Sequence, residues 1–497
     1  MNHRIFGDDI DPSPLMIMFW IVVLALLFRF GILALNLHWD FEPYWGLRAR
    51  TALVIAWSDF GMQPLPDGFG EAFNVSPEKV LQSWLFNDRG LNFLYVFMHK
   101  IFGGVTYVHI QIFHLFMDAL IVVPVMWLSN RIAGKKGAVV SGVIYALFLP
   151  QAQMAVSPNY NSWLGDLMVI MTWLTAMLIE AKQKSKFIAL LCALIVVNFI
   201  GNEFRSVVAL FSFGAAGWFW LVSIGVHRTL LLPAERWTSI IALAATGVVV
   251  ILLSSTSNYI VRGEYSPVRS SFGHNFFTGV GQFENPINMR DSDAAPVEWY
   301  ARETGITDTN STVDPAYNMW LNEQAKKFIS DYPVLYTSMV LRRALRILFP
   351  NMAFTLVTDL PSYTLLPSQL EAVEMRKSLV KKHGWLSKKL FVQLIKNDPA
   401  YVFGLGWRVL LLIILPVGLL SAICLARSRA AAVFFTLPLA YSILTLSFVY
   451  VTPPVVTGIH AAVLSVSTSG LYLLFRHIKD RFKGTHIYPH NSVTQSQ

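Results

Sequence analysis

Residues 14–45 read PLMIMFWIVVLALLFRFGILALNL and then HWDFEPYW. The first part, Pro14 to Leu37, is an apolar run broken by a single charge, Arg29. About 20 apolar residues, at a helical rise of ~1.5 Å each, cross ~30 Å of hydrocarbon, so the run predicts a membrane-spanning helix. The second part sets Asp40 and Glu42 among Trp39, Phe41, Tyr44 and Trp45, where the chain would leave the bilayer. Carboxylates at a membrane face, backed by aromatic rings, suit a site that handles a polar group carried on a lipid. Asp8, Asp9 and Asp11 precede a run this long, which reads as a signal anchor rather than a cleaved leader.

The rest of the chain repeats the pattern. Of 497 residues, 54% are hydrophobic and only 14% charged, against roughly 25% charged in a soluble domain. Spans are predicted near 14–36, 107–128, 137–156, 163–180, 187–204, 206–225, 238–256, 407–426, 430–449 and 455–475. The fold class is therefore all-α: a polytopic membrane protein of about ten transmembrane helices with external juxtamembrane helices. A β-barrel would show ~10-residue alternating segments instead. The stretches 91–102 and 334–349 are too short or too charged to span, the latter holding Arg342, Arg343 and Arg346, and read as helices lying in the interface.

Positive charge gives the orientation. Arg131, Lys135 and Lys136, then Lys182, Lys184 and Lys186, then His227, Arg228 and Arg236, then Arg427 and Arg429, and finally the basic tail all fall on one side. That side is expected to be cytoplasmic, with both termini there and the long segments 37–106, 257–333 and 350–406 outside. Lys381, Lys382, Lys388 and Lys389 oppose this arrangement from the outer segment, but long segments weigh less in the charge rule. The net charge of +9 thus reads as a topology signal, not a nucleic-acid surface. Cys192 and Cys424 lie in apolar segments and give no disulfide or zinc framework. The expected organisation is 1–256 as an N-terminal transmembrane module with the external loop 37–106, 257–406 as an external loop with interfacial helices, and 407–497 as a C-terminal three-helix part with a cytoplasmic tail.

Several residues could carry chemistry on the outer face. Asp40 or Glu42 could deprotonate an acceptor hydroxyl or amine; the plainer reading is that they solvate the end of span one. Asn87-Asp88-Arg89-Gly90 offers an arginine for a phosphate, or an ordinary turn before a helix. An arginine inside a span, as Arg29 is, usually points at a partner, and Asp118 in span two is a candidate for it. Glu203 and Arg205 sit at the turn between spans five and six, where an arginine suits a lipid phosphate or simple anchoring. Asp166 opens span four, a position a helix dipole also favours. The stretch 258–283, with Tyr259, Arg262, His274, Asn275 and several phenylalanines, suits sugar or headgroup contacts as well as interfacial anchoring.

Taken in order, these motifs resemble the GT-C glycosyltransferases, in the protein O-mannosyltransferase-like branch that includes the lipid A aminoarabinose transferase. The matching series is Arg29, Asp40-Phe41-Glu42-Pro43-Tyr44, Leu91 to Phe102-Gly103, Asn130 to Gly134, Leu149-Pro150 with Asp166, Gly273-His274-Asn275-Phe276-Phe277-Thr278-Gly279, Ala325 to Pro333, and Tyr450 to Pro454. The chain departs from the family pattern in having Asp-x-Glu in place of adjacent Asp-Glu, and Asp88-Arg89-Gly90-Leu91 in place of a Pro-Pro-Leu start. The resemblance implies that a polyprenyl-phosphate sugar donor enters from the lipid of the plasma (inner) membrane. Arg89, Arg205 and Arg29 would hold its phosphate, and Asp40 or Glu42 would activate a glycan, lipid or protein acceptor on the external or periplasmic face. Tyr44, Asp88, Asp166, Glu203, Arg262, His274 and Asn275 would contact substrate. No cofactor is required by this scheme; a divalent cation is compatible with it, but no residues have metal-ligand spacing.

Other classes make different demands. A transporter should show internal symmetry and broken helices, and no repeat is visible here. An O-antigen polymerase or ligase would fit the large external loop, and Arg262 to Gly273 matches an Arg-x10-Gly pattern that 30 glycines make cheap to find. A non-catalytic scaffold would tolerate loss of Asp40 and Glu42.

Overall fold

The computed structural model describes residues 15–36, 107–156, 162–227, 233–262, 272–307, 314–349, 387–397, 399–426, 428–451 and 453–482, with shorter pieces within 90–102 and 375–384 and at 265. Among the described residues every regular element is helical, and eight helices are long and apolar enough to cross a membrane. The chain is thus an all-α protein of membrane-spanning type.

The first helix, α1 (Leu15–Asn36), packs against α2 (Tyr107–Leu120) and α3 (Val122–Ala146). One apolar stretch, His109–Ala146, has 38 residues, about twice what a bilayer needs. It is not one rod, because Gly134 takes φ 75° and ψ −176° inside α3 and breaks the helix. Ser129 and Ser141 would stand ~18 Å apart along a straight helix. Instead both reach the last helix within one turn: Ser129 Oγ donates to the Ser465 carbonyl at 3.2 Å, and Thr468 Oγ1 to Ser141 Oγ at 2.7 Å. The chain therefore folds back at Gly134, beside Arg131, Lys135 and Lys136, where the two sequence-predicted spans meet. A left-handed residue at the turn explains the glycine.

After a break at Leu147 and Phe148 come α4 (Leu149–Ala155), α5 (Ser162–Glu180) and α6 (Lys184–Phe204), then a short 3-10 turn (Ser206–Leu210), α7 (Phe211–His227) and α8 (Ala234–Arg262). The C-terminal helices are α14 (Pro399–Leu425), α15 (Arg429–Phe434), α16 (Leu437–Leu446) and α17 (Pro453–Phe482), with α13 (Lys388–Asn397) leading into α14. Helix α17 runs through the middle of the bundle, packed against α3, α5 and α14, so the C-terminal part forms one core with the N-terminal helices.

Such close packing needs small residues, because lipid gives apolar side chains no reason to prefer each other. A Cβ on Gly165 would stand 2.8 Å from the Gly458 backbone, and one on Gly458 would stand 2.9 Å from the Gly165 nitrogen. Gly458→Leu is therefore expected to lose about 1–3 kcal/mol by forcing α5 and α17 apart. The midpoint of thermal unfolding in detergent measures this, and an unchanged midpoint would mean the helices have slack at that crossing.

Residues 272–349 build a second, smaller core at one end of the bundle. It comprises α9 (Phe272–Val280), α10 (Ala294–Thr304), α11 (Pro315–Asp331) and α12 (Pro333–Leu348). Phe276, Phe277, Tyr300, Tyr317, Leu321 and Phe328 fill it. Asp314 caps α11 by accepting from the Ala316 nitrogen at 2.9 Å, with Pro315 in the first helical position. Within the segment 257–406, expected to be an external loop with interfacial helices, residues 272–349 thus form a helical cap. Helix α12 covers the expected interfacial stretch 334–349; it is not among the eight apolar helices, and its buried row is Met339, Arg343 and Ile347.

Candidate functional site

The densest polar cluster lies inside the bundle, in the half next to the cap. Helix α2 supplies Gln111, His114 and Asp118, which fall on one face at spacings of three and four. Helix α1 brings Arg29, α3 Tyr145, α4 Gln151, and α5 Trp163 and Asp166. All are buried, and all but Trp163 are at most 3% exposed.

Arg29 anchors the cluster. Its Nε donates to Asp118 Oδ2, and its Nη1 donates to the Ala146 carbonyl at 2.9 Å and the Ala25 carbonyl at 3.3 Å. The Ala146 carbonyl is available for a local reason. Its helical donor would be residue 150, which is proline and has no N–H. The Leu149-Pro150 break therefore creates the acceptor that Arg29 fills. The guanidinium also lies over the Tyr145 ring, 5.6 Å from its centroid.

Asp118 and Asp166 share their donors. Tyr145 Oη donates to Asp118 Oδ1 at 2.9 Å and lies 3.4 Å from Asp166 Oδ1. Gln151 Nε2 donates to the same two oxygens at 3.1 and 3.0 Å. His114 Nε2 stands 3.3 Å from Asp166 Oδ2, and its ring stacks on Trp163 at 4.0 Å. One guanidinium thus faces two carboxyls in an apolar surround. Charge balance there calls for one further proton, held between the carboxyls or on His114. Arg29 Nη2 and Gln151 Oε1 make no hydrogen bond among the described residues.

The cluster continues toward the bundle end through aromatic rings. Trp163 stacks on Phe204 at 5.3 Å, and Phe204 precedes Arg205, where the helix gives way to extended backbone at φ −148° and ψ 111°. Gly90 meets the same point: a Cβ on it would stand 2.8 Å from both the Glu203 carbonyl carbon and the Phe204 nitrogen. Only glycine allows that approach, so Gly90 lies against the Glu203-Phe204-Arg205 turn.

The sequence-predicted residues are placed as follows. Arg29 and Asp118 pair. Asp166 joins them, and Glu203 and Arg205 sit at the turn facing Gly90. Expected as a phosphate ligand, Arg29 is fully buried and faces Asp118. His274 and Asn275 lie in the cap, where His274 Nδ1 is 2.8 Å from Tyr317 Oη and Nε2 is 3.8 Å from Asp293 Oδ1. Burial and the Asp293 charge push the Tyr317 hydroxyl well above its usual pKa, so it stays protonated as His274's partner. Arg262 ends α8, and its side chain is outside the described residues. Asp40, Glu42, Tyr44, Asp88 and Arg89 also lie outside them. Among the described residues no group of His, Cys, Asp or Glu gathers in a way that would hold a metal. Tyr145, Gln151 and His114 were missed in the sequence. The signal for His114 was present, as a polar residue four positions before Asp118 in an apolar helix.

No protein-family model matches the chain, and no curated protein matches it either.

Proposed function

We propose that the protein is a glycosyltransferase that moves a sugar from a polyprenyl-phosphate donor to a glycan, lipid or protein acceptor at the external face of the membrane. In this reading ten spans place both termini in the cytoplasm, and the cap and the 37–106 segment share the outer side. Asp40 or Glu42 takes the acceptor proton, while Arg89 and Arg205 hold the donor phosphate as it leaves. The observation that carries the reading is the meeting of Gly90 with Glu203 and Phe204, whose ring stacks on the Trp163 of the buried cluster. Gly90 directly follows Asp88 and Arg89 in the sequence, and it meets the turn that carries Arg205 between α6 and α7.

The test is transfer of radiolabelled sugar from a panel of polyprenyl-phosphate sugars by the purified protein in liposomes, with donor binding measured in parallel. Transfer, or slow donor hydrolysis where the acceptor is absent, is the expected result. Failure to bind any donor would remove the reading.

One observation favours a second reading. Two carboxyls sharing Tyr145 and Gln151 within a membrane-spanning bundle are the kind of group that relays protons in transporters. Proton uptake into proteoliposomes that depends on a solute gradient and on Asp166 would support it.

A further inference from the structure

Helix α12 buries one row of side chains, and the middle position of that row is an arginine. Met339, Arg343 and Ile347 recur at intervals of four, and Arg343 is 0% exposed. Its Nη1 donates to the Ser447 carbonyl at 3.1 Å, but Nε and Nη2 have no hydrogen-bond partner among the described residues. A guanidinium carries five N–H donors, and leaving several unmet in an apolar place costs about 1–3 kcal/mol or more.

Two further arginines crowd the same spot. Arg342, Arg343 and Arg346 lie 5.8, 5.4 and 4.8 Å from the centroid of the Phe283 ring. None of the three forms an ion pair with a carboxylate among the described residues. The nearby acid is Asp291, which feels Arg346 and hydrogen-bonds to Tyr450; burial holds its carboxyl above the usual range. Burial also pulls Arg343 down to about 10, and Arg346 pulls the same way against Tyr336. Three like charges on one ring, one of them buried, repel each other unless an anion sits among them.

Gly279 bounds the place on its inner side: a Cβ there would run into the Val449 carbonyl oxygen and stand 3.1 Å from Arg343 Nη2, so the α9 backbone packs tightly beside the guanidinium. Arg342 and Arg346 are exposed, so they form the accessible rim and Arg343 the floor. Along the same helix Val334, Leu341, Leu345 and Leu348 form an exposed apolar stripe, 83%, 61%, 53% and 36% exposed. A stripe of that kind beside arginines is how a helix lies in the headgroup layer.

The geometry points to an anion site at Arg342, Arg343 and Arg346 that takes a phosphate group, either the phosphodiester of a lipid headgroup or free phosphate. It uses none of the residues assigned to sugar transfer, and its test involves no sugar transfer, so either conclusion can fail without the other.

The full-length protein in zwitterionic detergent micelles is titrated with inorganic phosphate at matched ionic strength. In a second arm it is titrated with phosphatidylglycerol against phosphatidylcholine, and thermal unfolding is followed in both. The wild type is expected to gain stability. Apparent affinity is expected to fall about tenfold or more in Arg343→Met and in Arg342→Gln/Arg346→Gln, as loss of charge-assisted bonds implies. Methionine continues the Met339–Ile347 row, so Arg343→Met without anion should unfold no earlier than wild type, which separates binding from folding. A response to phosphatidylglycerol alone assigns a lipid headgroup, and a response in both arms assigns the phosphate itself. No response in either arm, or wild-type affinity in both variants, overturns the site.

Discussion

Asp118→Leu is expected to destabilise the protein by about 3–5 kcal/mol, because Arg29 loses the one carboxylate it bonds directly among the described residues, while Asp166 is joined to it only through Tyr145. The single substitution removes the carboxylate that accepts from Arg29, Tyr145 and Gln151 at once. Among the described residues Arg29 then keeps two backbone carbonyls as direct acceptors, which satisfy hydrogens but not charge, and Asp166 stands one side chain further away. The double variant Arg29→Met/Asp118→Leu removes both charges and fills the space with apolar atoms. Buried pairs replaced in this way often lose little or even gain, so the double variant should unfold within about 1–2 kcal/mol of wild type. Unfolding in mixed micelles, read as a double-mutant cycle, isolates the coupling. A single variant costing less than about 1 kcal/mol, or a double variant as damaged as the two singles summed, would mean the pair does not hold α1 against α2.

The value of that pair bears on what could be read without the structure. The helical spans were legible because hydrocarbon thickness sets their length, and α1, α5, α6 and α8 fall close to the predicted positions. The reversal at Gly134 was legible too, since Arg131, Lys135 and Lys136 interrupt an apolar stretch. What was not legible was which polar residue meets which. Arg29, Asp118 and Asp166 are separated by 89 and 48 positions, and nothing local makes one face another. Tyr145 enters the cluster from the last turn of α3, and Gln151 from α4, after the break that precedes Pro150. The cap was hidden for a different reason. Helices α9 to α11 are short and mixed in polarity, so no run of hydrophobicity marks them, and their core forms by pairing aromatic residues across elements. Arg343 was visible as one of three arginines, but only its place in the buried row separates it from its neighbours.

A second large effect is expected from the carboxylates of the first loop. Under the transferase reading, Asp40→Asn or Glu42→Gln should lower transfer by about 10²–10⁴-fold in the variant that loses the base, which is what a positioned proton acceptor supplies. The amide keeps the shape and loses the basicity, so the midpoint of unfolding and the affinity for donor should stay near wild type. Asp166→Asn is the proper contrast, because that residue sits among Tyr145, Gln151 and His114 and belongs to the packing of the bundle. Its loss should move stability first and transfer only in proportion. A fall in kcat with unchanged stability for one of Asp40 and Glu42, and the reverse pattern for Asp166, would assign chemistry to the loop and support to the cluster. The opposite split, with turnover lost in Asp166→Asn at full stability and both loop variants active, would move the chemistry into the membrane. There the two carboxyls and His114 hold the only closely coupled proton carriers among the described residues of the bundle, and the proton-relay reading would follow from the same three residues.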